Sequence, residues 1–276
     1  MTHILVTGAS GRLGGAAVRS LLSFHPAEEL HALVRTAAAA DRLGRIGVDA
    51  RIADYAHPAR LAEAFRGIDR LLFVSSPVLD PDERLRQHRA VLAAAASIDH
   101  VVYTSVHGAE HDAAHAATEA ALRERGGATV LRNGFYTEPF VQAAVEQARS
   151  GWIASATASR PLATASIADL AEAAARVVAA PPREELLELR GRAWTYRELA
   201  DVLSGLLGHP VEHRDVPVAD AGPFGPLHAA AAAGALAHET DDLRRTLGRE
   251  PRGIGDVAGS VVGEIDGWIT DDASGS

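Results

Sequence analysis

Thr7-Gly8-Ala9-Ser10-Gly11-Arg12-Leu13-Gly14-Gly15 joins a short β-rich run, His3 to Thr7, to a helix-like segment, Leu13 to Phe24. The spacing is Gly-x-x-Gly-x-x-Gly. Each glycine has its own reason to lack a side chain: one permits the tight turn, one lets the backbone approach a pyrophosphate, and one lets the helix sit close to the sheet. Free amides at the helix N-terminus then face an anion. A glycine motif alone is weak, but a strand before it and a helix after it restrict the chain to a strand–turn–helix unit built around phosphates.

The rest of the N-terminal half repeats that unit. Strand-like runs fall at Leu30 to Arg35, Val48 to Ala53, Asp69 to Ser75, His100 to Ser105 and Thr129 to Arg132. Helical segments fall at Pro58 to Phe65, Pro81 to Ser97 and Ala114 to Arg125. The strands are apolar almost throughout, as needed when helices cover both faces of a sheet. The alternation predicts an α/β fold: a Rossmann-type, doubly wound parallel sheet with a smaller C-terminal substrate-binding lobe. The expected division is 1–134 for the dinucleotide-binding core and 135–270 for a mixed α/β lobe that contributes further elements to the core. A disordered tail is expected over 271–276. In the lobe, Ile167 to Ala180, Tyr196 to Leu207 and His228 to His238 read as helices and Leu186 to Leu189 as a strand. Val216 to Pro226, rich in proline and glycine, reads as a loop or mobile flap.

In such a fold the end of the second strand faces the adenosine ribose. An acidic residue there binds the 2′-hydroxyl, and a basic one accommodates a 2′-phosphate. Here that strand ends Leu33-Val34-Arg35, and Arg12 lies within the turn itself. Each charge-assisted hydrogen bond is worth about 1.5–3 kcal/mol. Two such contacts select NADPH over NADH.

Composition removes other chemistry. The chain has no cysteine, and all 27 of its basic residues are arginine. That excludes disulfides, thiolate nucleophiles, cysteine-based zinc sites, Schiff bases and the P-loop lysine. A net charge of −9 without a basic cluster argues against nucleic acid as a partner. No apolar run reaches the roughly 18 residues of a membrane span. Without a signal-peptide pattern at Met1 to Val6, the expected compartment is the cytoplasm.

Several stretches carry a resemblance: the Thr7 to Gly14 turn, Ala32-Leu33-Val34-Arg35, Ala53-Asp54-Tyr55, Leu71 to Ser76, Tyr103-Thr104-Ser105, His115-Ala116-Ala117-Thr118-Glu119, and, most specifically, Leu131-Arg132-Asn133-Gly134-Phe135-Tyr136-Thr137-Glu138. Through them the chain resembles the atypical short-chain dehydrogenase/reductases of the NmrA-like group, bacterial NADPH-dependent quinone oxidoreductases of type 2 in particular. The resemblance implies NADPH as cofactor. Thr7, Gly8, Ser10, Gly11, Arg12, Leu13, Gly14 and Arg35 would hold its phosphates. Asp54 and Tyr55 would lie by the adenine, and Val74, Ser75 and Ser76 would pass the adenine and its ribose. Thr104 and Ser105 would end beside the nicotinamide ribose. Asn133, Gly134, Phe135 and Tyr136 would border the nicotinamide, with Phe135, Tyr136 and Glu138 toward the substrate.

Most short-chain reductases pair a tyrosine with a lysine four residues on, which a chain without lysine cannot do. The corresponding segment offers His115 and Glu119, which share a helix face. A carboxylate beside an imidazole favours the imidazolium, so His115 is the candidate proton donor and Ser105 a candidate donor to the substrate oxygen. The alternative is a solvated pair on a helix surface. No metal site is expected. The function implied is hydride transfer to a quinone or conjugated carbonyl compound, a small-molecule partner, with a homodimer as the candidate assembly. A non-catalytic NADP(H) sensor and a biosynthetic ketoreductase are the competing functions.

Overall fold

The strands of the first half are apolar at consecutive positions. In a computed structural model of the protein, Ile4-Leu5-Val6 and Leu71-Leu72-Phe73 are wholly buried. Burying both faces of a strand requires helices on each side, which crossover connections between parallel strands supply. The structure describes residues 1–273, with side chains to 265.

The elements run β1 (Ile4–Val6), α1 (Arg12–Leu21), β2 (Leu30–Val34), α2 (Ala37–Gly44), β3 (Asp49–Ile52), α3 (Pro58–Ala64), β4 (Arg70–Val74), α4 (Pro81–Ala94), β5 (His100–Val106), α5 (Ala113–Arg125) and β6 (Ala128–Asn133). There follow α6 (Thr137–Ala148), β7 (Trp152–Ser155), α7 (Ile167–Ala179), β8 (Leu186–Leu189), α8 (Tyr196–Leu207), β9 (Glu212–Asp215), α9 (Gly225–Ala232), α10 (Asp242–Leu247) and α11 (Ile254–Ala273).

Seven strands form one parallel sheet in the order β3-β2-β1-β4-β5-β6-β8. The direction of winding reverses between β1 and β4, and ligands in such sheets bind beyond the carboxyl ends of the strands at that switch. Leu5, Leu71, Phe73, Val101 and Tyr103 share one face of the sheet and pack with Leu61, Val91 and Leu122 of α3, α4 and α5. On the other face α1 and α7 pack together.

The chain forms two compact units. One consists of residues 1–133, 167–189 and 245–248; the other of 134–166, 190–244 and the chain from 249 onward. Thus α7 and β8 belong to the unit of the sheet. The second unit has the parallel pair β7–β9 and a core that includes Phe140, Val141, Leu199, Leu203, Val257 and Val261. A reciprocal capping box, Thr195 with Glu198, starts α8.

Two expectations change. Val216 to Pro226 carries two short 3-10 turns, 218–220 and 222–224. The tail expected to be disordered begins with Asp271 to Ala273, which end α11; 274–276 lie outside the described residues. Among the described residues no helix is long and apolar enough to cross a membrane, and no group of three or more His, Asp or Glu could hold a metal ion.

Candidate functional site

The glycine turn lies at the carboxyl end of β1. Gly8 has φ +61, a left-handed conformation that a side chain disfavours. A Cβ on Gly14 would stand 2.3 Å from the Gly8 carbonyl oxygen, so α1 rests directly on the turn's backbone. Gly11 caps α1 without a side-chain hydrogen bond. Gly8, Ser10, Gly11 and Arg12 are exposed, and Leu13 anchors the helix in the core.

The remaining sheet residues of the candidate site follow the carboxyl ends of β2 to β6. Arg35 is exposed beyond β2. Asp54 accepts from the Ala56 amide. Tyr55 was expected at the adenine; its hydroxyl lies 2.6 Å from Thr7 Oγ1 and 2.7 Å from the Val74 carbonyl, tying the ends of β1, β3 and β4 together. Burial raises the Tyr55 pKa, so it stays a neutral strut. The Val74 amide donates to Thr7 Oγ1, and the Ser75 amide to Thr104 Oγ1. The Ser76 hydroxyl donates to Gln87. Asn133 is buried, and its Oδ1 has no hydrogen-bond partner.

Beneath β5, toward α4 and α5, lies a polar network that the sequence pattern only half revealed. Glu119 is 4% exposed. Its carboxylate accepts from Arg132 Nε at 3.0 Å and Nη2 at 2.7 Å, a side-on pair, and from Ser105 Oγ at 2.6 Å. Arg132 also reaches Glu188 on β8 at 3.2 Å. Burial pushes the Glu119 pKa up, but the hydrogen bonds of Arg132 and Ser105 outweigh it and hold the carboxyl below its ordinary value.

His115 is also buried, which removes the solvated-pair alternative. The expectation that Glu119 charges it is corrected too. Burial lowers the His115 pKa, and the carboxylates of Asp112 and Glu119 restore it only in part against Arg84. Glu119 is already engaged, and His115 Nδ1 lies 2.7 Å from the Tyr103 hydroxyl.

His88, beside them, has a defined tautomer. The Ser76 amide donates to its Nε2, so in the neutral ring Nδ1 carries the proton. That proton goes to Thr118 Oγ1, whose hydroxyl donates to the Ala114 carbonyl. The Tyr103 hydroxyl lies between this pair and His115 Nδ1, and the tautomer of His115 sets which of the two donates. Burial depresses the His88 pKa to about 3. The unfolded chain therefore takes up a proton near pH 6.5 that the folded chain refuses, so stability is full above that value and falls as pH drops toward 3, by up to about 1.4 kcal/mol per pH unit. His115 acts in the same direction. A melting temperature that holds or rises between pH 7.5 and 5 would contradict this.

Four candidate residues belong to the second unit. The Phe135 carbonyl accepts from the Ala165 amide, and Tyr136 bridges to Ala165. Phe135 packs against the core around Phe140, Gly134 is buried, and Glu138 stands in the first turn of α6. Sequence reasoning missed Arg132, Glu188, His88 and Tyr103 as network members. The one available signal was Arg132 itself, a charge directly after the buried run Thr129 to Leu131.

Known proteins resemble the chain in sequence and in fold. The NmrA-like family matches residues 1–230. The chain is 36% identical to quinone oxidoreductase 2 of Escherichia coli (strain K12) over 227 residues, 79% of each chain. Among solved structures it resembles the Citrobacter sp. triphenylmethane reductase complexed with NADP(H), with a TM-score of 0.87, 31% identity, and coverage of 94% of this chain and 99% of that one. It also resembles the E. coli NADPH-dependent quinone oxidoreductase complexed with NADPH, with a TM-score of 0.83, 31% identity, and coverage of 95% and 99%. Family match, sequence identity and fold thus lead to one assignment: the chain belongs to the NmrA-like family.

Proposed function

We propose that the protein is an NADPH-dependent oxidoreductase that delivers hydride to a quinone or related conjugated carbonyl acceptor. The observation that carries the cofactor assignment is the seat of Gly14 on the Gly8 carbonyl, which brings the uncapped N-terminus of α1 to the reversal of strand order. The acceptor class rests on the similarity to quinone oxidoreductase 2.

The residues present fit the cofactor. The amides of the first turn of α1 and the exposed Arg12 suit a pyrophosphate, and Arg35 beyond β2 suits a 2′-phosphate. The buried Asn133 Oδ1, which lacks a partner, suits a donor from the nicotinamide half. Bound NADPH would supply a hydride, to which a quinone, already electrophilic, is a ready acceptor needing little acid help from the protein. The protein's part is to hold and align. Ser105 does not donate to the acceptor, because its hydroxyl donates to the ionised Glu119 carboxylate.

That commitment of the Ser105 proton also suits the second reading, an NADP(H) sensor without turnover. Oxidation of NADPH and NADH against a panel of quinones, aldehydes and ketones separates the two. Turnover of quinones is expected; tight NADPH binding with no turnover across the panel would favour the sensor. Arg35→Asp is expected to weaken NADPH binding about ten- to a hundredfold while leaving NADH nearly unaffected. Equal affinity of the wild type for both cofactors would overturn the 2′-phosphate assignment.

A further inference from the structure

Ser105 has a single proton, and the structure fixes where it points. Its Oγ lies 2.6 Å from Glu119 Oε1, and the side-on pair with Arg132 keeps that carboxylate ionised. An ionised carboxylate can only accept, so Ser105 must donate to it. What Ser105 offers to any other group is a lone pair, and the nearest ring nitrogen, His115 Nδ1, stands 3.5 Å away, at the limit of a hydrogen bond. It stands on β5 in register with Arg132 on β6, so the serine and the arginine that governs it share one face of the sheet. Asn133, the next residue on β6, alternates to the opposite face of the sheet, where its buried Oδ1 lacks a donor. The remaining lone pair of Ser105, at the end of β5, suits a ligand that brings an O–H or N–H group.

We propose that Glu119 and Arg132 are positioning residues that lock Ser105 as a hydrogen-bond acceptor for an O–H or N–H donor on the nicotinamide half of the cofactor. This rests on the assignment of NADPH above. It reverses the polarity expected from the sequence, in which Ser105 donates to the substrate. It also gives the arginine a role beyond charge. Its planar fork fills both oxygens of Glu119 and leaves Oε1 one further lone pair, directed at Ser105.

Binding measurements test this without turnover. The dissociation constants of NADPH and of adenosine 2′,5′-bisphosphate, which carries only the adenosine half, are compared in wild type, Ser105→Ala, Glu119→Gln and Ser105→Thr. Glutamine offers one acceptor oxygen where the carboxylate offered two, so with Arg132 facing it the Ser105 proton is released. The alanine and glutamine variants are expected to bind NADPH about three- to tenfold more weakly, with adenosine 2′,5′-bisphosphate unchanged. Ser105→Thr, which keeps the hydroxyl, is expected to retain wild-type affinity for both. An NADP(H) analogue with an acetyl group in place of the carboxamide identifies the donor: a loss that persists points to a ribose hydroxyl, and one that vanishes points to the amide. Equal losses for both ligands would mean a general structural role and overturn the proposal, as would no loss at all. Should the glutamine variant not fold, Ser105→Ala, a smaller change, decides alone. Failure of the wild type to bind NADPH would remove the cofactor assignment itself, and the inference with it.

Discussion

Replacing Gly14 with alanine is expected to abolish NADPH binding and to lower the melting temperature by several degrees. The added Cβ would stand 2.3 Å from the Gly8 oxygen, 2.7 Å from the Gly8 carbon and 2.9 Å from the Thr7 oxygen. All three are backbone atoms, so no side chain can swing aside. The strand beneath them cannot retreat, because Ile4, Leu5 and Val6 are wholly buried and Thr7 Oγ1 is held by the Val74 amide. The helix must lift instead, which withdraws Leu13, Ala17 and Val18 from the core and displaces the amides that face the phosphates. Overpacking of this kind costs about 1–3 kcal/mol, or roughly 2–4 °C per kcal/mol in a domain of this size. Gly11→Ala is the informative contrast. Its Cβ would lie 3.2 Å from the Gly8 oxygen, a closer approach than ordinary contact but far short of the Gly14 clash, so the stability loss is smaller than in Gly14→Ala and more of the effect falls on binding. Thermal melting with and without NADPH distinguishes the two. A Gly14→Ala variant that binds NADPH like wild type would mean that the close seat of α1 is not what forms the phosphate site.

The turn was legible in the sequence because its causes are local: three glycines, a strand before and a helix after. The sheet was legible because double-sided burial leaves continuous apolar runs such as Leu71-Leu72-Phe73. The elements that were missed have local patterns that argue against them. In α6, Pro139 looks like a breaker, yet it falls in the first turn of the helix, where its missing N–H costs nothing. In α11, Gly255, Gly259 and Gly263 weaken helix propensity, and the helix is held by the burial of Val257, Ala258 and Val261. The strand β9, Glu-His-Arg-Asp, has no apolar alternation and exists by pairing with β7. In the candidate site, the spacing of His115 and Glu119 correctly put them on one helix, but proximity in sequence did not make them partners. Glu119 is claimed by Arg132 from β6 and Ser105 from β5, and His115 by Tyr103. Those bonds depend on strand register, which no local window contains.

Arg132→Ala is expected to be the most destabilising change in that network, and its cost is expected to depend on pH. The Glu119 side chain is 5% exposed and that of Arg132 is 21% exposed, so the variant leaves a buried carboxylate with Ser105 as its remaining donor. Breaking a buried pair from one side costs about 3–5 kcal/mol, mainly the price of the stranded charge. In wild type the Glu119 pKa is held below its ordinary value, so the pair contributes stability above about pH 4.3, the unfolded value, and loses it as pH falls through the folded one. Without Arg132 the sign reverses. Burial then pushes Glu119 up, the folded chain binds a proton before the unfolded chain does, and stability rises as pH falls through the raised value. The histidine contributions are common to both proteins and cancel in the difference. The deficit of the variant relative to wild type should therefore be largest near pH 8 and shrink toward pH 5. In Arg132→Ala/Glu119→Gln, which removes the Glu119 charge and leaves only the more exposed Glu188 without the arginine, the deficit at pH 8 should be smaller than in Arg132→Ala and less dependent on pH. Urea unfolding midpoints at pH 8, 6.5 and 5 give these differences directly. A deficit for Arg132→Ala that stays constant across that range would show that the energy resides in packing of the arginine stem and not in the charge it covers.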